Sequence, residues 1–152
     1  MTSIEKKLIA CKKCNAFCCT QIKPPVLKSE RQIIIKSGYE DCFKKIDDDL
    51  YEIISKKDNE CPYLDSNKSC KIHKIKPIFC RIWPVIPRLK NNNFEFIIIK
   101  CPIYSYMTKN EIQDAIKDTK NIPKKAIKYL WEISDEAKQK YKKFEYFRCS
   151  EF

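Results

Sequence analysis

Cys11-Lys12-Lys13-Cys14-Asn15-Ala16-Phe17-Cys18-Cys19 packs four thiols into nine residues, and the fold has to be organised around them. If the segment is helical, at about 100° per residue, Cys11, Cys14 and Cys18 share one narrow face and Cys19 stands roughly a quarter-turn away. Three thiolates then converge on one centre, while Cys19 completes the shell or turns toward a second. If the segment is a loop, its Cys-x-x-Cys pair still grips one metal, as in zinc and iron–sulfur sites. Adjacent Cys18 and Cys19 are awkward ligands for one tetrahedral ion, because neighbouring side chains diverge. A multi-iron cluster, or two neighbouring centres, accepts such a pair more easily.

Working outward, Cys61-Pro62, Cys70, Cys80 and Cys101-Pro102 are widely spaced, so only the fold can bring them to a common centre. A proline directly after a ligand fixes the backbone and removes an N–H that would need a partner beside crowded sulfur. Tyr63, Phe79 and Trp83 read either as a screen between such a site and water or as ordinary core packing. Arg81, next to Cys80, reads as a counter-charge or a hydrogen-bond donor to sulfur, with a surface ion pair as the alternative. Cys42, beside Phe43, reads as a small buried hydrophobe, Cys149 as a free thiol, and His73 as packing near the site rather than ligating.

Scarcities narrow the chemistry further. Gly38 is the only glycine in 152 residues, which excludes a P-loop and a dinucleotide-binding fingerprint. His73 is the only histidine, which excludes H-E-x-x-H hydrolases, Cys2His2 fingers and two-histidine iron sites, and leaves Cys/His catalysis a single base. Any metal is therefore held mainly by sulfur. Zinc ribbons commonly turn at a glycine after Cys-x-x-Cys, and no cysteine here has one nearby. The cofactor expected is an iron–sulfur cluster of the 4Fe-4S kind, with zinc as the alternative.

The first ten residues are charged and lack the apolar run of a secretory signal, and no later stretch approaches the roughly 20 apolar residues of a membrane span. The expectation is a soluble cytoplasmic protein with no membrane partner, in which ten cysteines mean metal binding or thiol chemistry more than disulfides. The Ile- and Lys-rich composition would also suit a thermophile, in which intracellular disulfides occur. The formal charge of +11 points to an acidic partner such as nucleic acid. Two four-thiolate sites, each around a +2 centre, would lower it to about +7. Basic residues are also interleaved with acids, as at Asp47-Asp48-Asp49, so a solvated mixed surface and a protein partner are the preferred reading.

The elements expected are short. Ser29 caps a helix over 30–37 that ends at Gly38; residues 50–55 form a strand; 57–59 turn before Cys61. Residues 61–87 carry little periodicity. Leu89-Lys90, three asparagines and 94–99 form a hairpin. Thr108 caps a helix over 110–119, and Pro123 opens a longer helix reaching about Tyr146, with Ile127, Leu130, Trp131, Tyr141 and Phe144 on its apolar face. The fold class is α+β: a small cysteine-rich, metal-centred domain with few short strands and a C-terminal helical portion. One domain spans 1–152, its cysteine-rich core at 1–107 and the helices packing on it at 108–152.

The order Cys-x-x-Cys-x-x-x-Cys-Cys, then Cys61-Pro-x-Leu-Asp, then Cys70-x-Ile-His-x-x-Lys-Pro-x-x-Cys80-Arg-x-x-Pro, then Cys101-Pro, resembles a family of zinc- or iron-chelating domains. The likeness covers roughly residues 11–102. Flagellin lysine-N-methylases resemble that family through the same cysteine pattern. The resemblance implies that Cys11, Cys14, Cys18, Cys19, Cys61, Cys70, Cys80 and Cys101 are the metal- and cofactor-binding residues. His73 stands where Tyr is common, and Lys76 and Trp83 where Arg and Phe are common. The functions implied are an iron–sulfur protein for electron transfer or support of a partner enzyme, a structural zinc module binding protein or nucleic acid, or a relative of a protein lysine N-methylase.

Overall fold

A computed structural model describes residues 1–13, 16, 18–19 and 23–132, together with the backbone of the strand 146–148. In chain order the elements are α1 (Ser3–Lys13), β1 (Pro25–Leu27), α2 (Lys28–Lys36), β2 (Phe43–Lys45), β3 (Leu50–Ile53), a 3-10 turn (His73–Ile75) and the single-turn α3 (Ile78–Arg81). There follow β4 (Val85–Lys90), β5 (Asn93–Ile99), a second 3-10 turn (Pro102–Tyr106), α4 (Lys109–Thr119), α5 (Lys124–Glu132) and β6 (Tyr146–Arg148). Two antiparallel three-stranded sheets result, ordered β1-β3-β2 and β4-β5-β6. The mixture is the α+β class that the sequence implies.

Local chemistry explains where the elements begin and end. Helix α2 starts before Ser29, because the Glu30 carboxylate reaches back to accept the Leu27 amide at 2.9 Å and satisfies an orphan N–H of the first turn. Its end is the one expected. Gly38 takes φ +92°, its amide donates to the Ile35 carbonyl at 3.0 Å, and Tyr39 donates to Ile34, the Schellman closure that a glycine permits. Thr108 caps α4 reciprocally, its hydroxyl accepting from the Glu111 amide while Glu111 accepts from the Thr108 amide at 2.8 Å.

The β4–β5 hairpin turns at Asn91 and Asn92, with φ of +51° and +62°, the left-handed pair that a two-residue turn needs. It reaches back to Val85, beyond the expected start at Leu89, and includes Pro87. The missing N–H is tolerated because β4 lies on the sheet edge. Strand β3 stops at Ile53, two residues short of the expected end. Helix α5 begins after Pro123 as read, but Tyr146 is not its end: Tyr146 opens β6 and pairs with Ile99. The rest of the expected extension, with Tyr141 and Phe144, lies outside the described residues, as do Cys14 and Cys149.

Two hydrophobic clusters hold these elements. The larger gathers Ile82, Val85 and Ile97–Ile99 with Ala126, Ile127 and Leu130, and the Trp131 indole N–H ties α5 to β4 by donating to the Pro87 carbonyl at 2.7 Å. The smaller gathers Val26, Ile34, Phe43, Ile53, Tyr63 and Ile72. Each fully buried isoleucine contributes about 1.5–3 kcal/mol of transfer free energy.

Candidate metal centre

Cys11 sits in the last turn of α1, and the helix does not run on to Cys19. The Ala16 amide donates to the Cys11 carbonyl at 2.8 Å with φ at +49°, a left-handed step that a helix cannot contain. Cys18 and Cys19 then stand in a separate helical turn, where the Cys19 amide donates to the Ala16 carbonyl at 2.8 Å. The continuous helix that would put Cys11 and Cys18 on one face is therefore broken in the middle. The break leaves Cys19 free to leave its neighbours.

It joins the distant cysteines. The Cys61 amide donates to the Cys19 carbonyl at 2.9 Å, locking two segments together by their backbones. Cys61 follows a loop closed by the Lys56 amide on the Glu60 carbonyl at 2.9 Å. Cys70 follows a tight turn in which Asp65 accepts from the Asn67 and Ser69 amides, and it bridges to Leu64. Cys80 is carried by α3, whose first amide, on Ile78, donates to Glu30 at 2.7 Å. One carboxylate thus caps α2 and holds the helix of a cysteine. Glu30 escapes sequence reasoning in this second role, since nothing local links it to Ile78.

Electrostatics group the thiols. Charge at Cys19, Cys61 and Cys70 is felt at Cys80, charge at Cys19 and Cys70 at Cys61, and charge at Cys19 at Cys70, so every pair among these four is coupled. Burial pushes the Cys61 thiol up to about 11 and raises Cys70 and Cys80, with the neighbouring cysteines adding to the rise. The Cys18 thiol donates to Cys19, which raises Cys18 and lowers Cys19; Lys76 helps Cys19 further toward the thiolate. Cys18 also feels Cys11 and Cys80, so the two groups of thiols meet at the Cys18-Cys19 pair. Loading a metal here displaces protons from thiols that burial keeps protonated.

All six of these cysteines line one cavity of about 510 Å³. Phe79, Trp83, His73 and Arg81 also line it, and Arg81 pairs with Asp118 at 3.9 Å as in the surface-pair alternative. His73 is exposed on its 3-10 turn. Tyr63 and Cys101 are not among the residues that line this cavity. Tyr63 is buried in the smaller cluster, its hydroxyl donating to the Glu40 carbonyl at 2.6 Å, and is not in the cavity wall. Cys101 is also outside that wall: it packs against the larger cluster at the end of β5, where the chain turns into the second 3-10 helix. Cys42 is half-buried against the smaller cluster, as expected of a small hydrophobe.

The donor set is soft and suits iron or zinc. Among the described residues, no three Cys, His, Asp or Glu side chains are placed to hold a single ion together. The family model described as “Putative zinc- or iron-chelating domain”, CxxCxxCC, matches residues 10–112. The chain belongs to the CxxCxxCC family. This membership supports metal binding. The chain's own motif has one residue more than the family's label between the second and third cysteines. No curated protein and no solved structure matches, and these comparisons carry no link to the flagellin methylases. Among the described residues, no helix is long and apolar enough to cross a membrane.

Proposed function

We propose that this CxxCxxCC protein holds an iron–sulfur cluster, of the 4Fe-4S kind, on the thiolates of Cys19, Cys61, Cys70 and Cys80. Cys11 and Cys18 form the adjoining wall, and the protein serves a protein partner as an electron carrier or accessory. The observation that carries this reading is the pattern of thiols around the cavity. A tetrahedral zinc ion needs four thiolates about 3.8 Å from one another, given Zn–S bonds near 2.3 Å. Four thiols that share one cavity with the adjacent Cys18-Cys19 pair suit a centre of several metal atoms, which accepts neighbouring cysteines more easily than one tetrahedral ion does. Lys76 beside Cys19 offsets negative charge on such a centre.

Anaerobic purification with metal and sulfide analysis and a visible spectrum tests it. Brown protein with iron and sulfide in equal amounts is the expected result. Colourless protein with stoichiometric zinc and no sulfide would sink the cluster and leave the zinc module in its place. A redox titration then separates a carrier, which cycles reversibly, from a redox-inert structural centre.

A further inference from the structure

Ser55 holds the one buried side-chain oxygen or nitrogen that has no hydrogen-bond partner among the described residues. Buried polar groups are almost always paired, and an orphan hydroxyl costs free energy comparable to a lost hydrogen bond. Its surroundings make the vacancy specific. The loop closed by Lys56 on Glu60 sets Ser55 and Cys61 opposite each other on its two arms, and both line the cysteine cavity. Nearby backbone groups are already engaged. The Ile54 amide donates to the Cys42 carbonyl at 2.8 Å, Lys56 to Glu60, and Cys61 to Cys19. Of the groups lining the cavity, the cysteine sulfurs gain acceptor strength when a metal arrives, Cys61 across the loop among them, because ligation converts a weakly accepting thiol into a thiolate.

We infer that the Ser55 hydroxyl donates a hydrogen bond to a sulfur of the thiolate-held centre, as a positioning residue beside Cys61. The inference rests on the thiolate centre proposed above, whichever metal fills it. A hydroxyl in this place orients the ligand, spreads its negative charge and stabilises the loaded state over the empty one. Without a ligated sulfur the hydroxyl has no acceptor among the described residues.

The test is anaerobic titration of Co(II) into the reduced full chain, read by thiolate-to-cobalt charge-transfer absorption. Ser55→Ala is expected to bind about tenfold more weakly than the wild type, and Ser55→Thr, which keeps the donor, to bind as the wild type does. Urea unfolding of the metal-free chain supplies a second readout. There Ser55→Ala is expected to be at least as stable as the wild type, since an unpaired hydroxyl is removed. Equal Co(II) affinity in Ser55→Ala would overturn the Ser55 role while leaving the thiolate centre standing. Equal weakening in Ser55→Ala and Ser55→Thr would assign the effect to packing and overturn it as well. Absence of the charge-transfer band in the wild type, together with no iron and sulfide in the anaerobically purified protein, would overturn the centre and, with it, this inference.

Discussion

The amide of Cys61 donates to the carbonyl of Cys19 at 2.9 Å, so Cys19 is tied by its backbone to a cysteine far along the chain. Cys19 lines the cavity with Cys61, Cys70 and Cys80, and their electrostatics are linked pair by pair. Cys19→Ser is expected to lose most of the bound iron and sulfide. Cys101→Ser, outside the cavity wall, should keep most of the wild-type complement. Iron and sulfide analysis of the two variants, purified side by side without oxygen, checks both halves.

Glu30 accepts two amides from different elements, Leu27 at 2.9 Å and Ile78 at 2.7 Å. Glu30→Ala strands both donors in a half-buried setting, each costing about 1–3 kcal/mol. The loss should appear in urea denaturation of the metal-free chain. It should also loosen metal binding, since Ile78 opens the helix that carries Cys80. A variant as stable as the wild type would show that water replaces the carboxylate at no cost.

Two carboxylates should give opposite pH slopes. Burial lifts Glu30 above its usual 4.5 more than the two amides lower it, so the folded chain holds that proton more tightly than the unfolded one. Its contribution is fullest below 4.5 and declines as pH rises through the folded value. The Lys7 ammonium and the Thr108 amide hold Glu111 below its usual 4.5. Its contribution is present above 4.5 and is lost as pH falls through the folded value. Urea melts between roughly pH 3 and 7 should therefore show the cost of Glu111→Gln growing with pH and that of Glu30→Gln shrinking. The Glu111 effect should stay under about 1 kcal/mol, because that pair is partly exposed and screened.

Ala16 is 2 % exposed and left-handed, with φ at +49°. A β-branched residue is disfavoured in that conformation and has no room there. Ala16→Val should cost about 2 kcal/mol or more and disturb Cys18 and Cys19 enough to reduce metal loading. Ala16→Gly trades a buried methyl for relief of strain and should lie within about 1 kcal/mol of the wild type. Paired denaturation and metal analysis would decide whether the turn shapes the ligand cluster.

What the sequence made legible was punctuation and residue type. Gly38, Thr108, Pro123 and the asparagine turn each fix a backbone conformation locally, and each ends or begins an element where its chemistry requires. The cysteines were legible as a set, but not as a grouping. Cys19 changes partners because of a left-handed alanine that carries no propensity signal, and because of a backbone bond to a residue far along the chain. The strands β1 and β2 are three residues long and pair only through β3, so no run of alternation announces them. Ser55 and the second role of Glu30 are invisible for the same reason: each depends on what the fold brings beside it.

The cysteine cavity draws its wall from both hydrophobic clusters, with Ile53 and Ile72 from the smaller and Val85, Ile86 and Leu130 from the larger. The two clusters are also continuous through β1 and β3, which give Val26 and Ile53 to the smaller and Leu27 and Leu50 to the larger. A centre gripping Cys19, Cys61, Cys70 and Cys80 would close several long loops at once and act as a four-way rivet, restricting the unfolded chain as disulfides do. Stripping the metal would then return that lost freedom to the unfolded chain, and the midpoint of unfolding would track the occupancy of the centre.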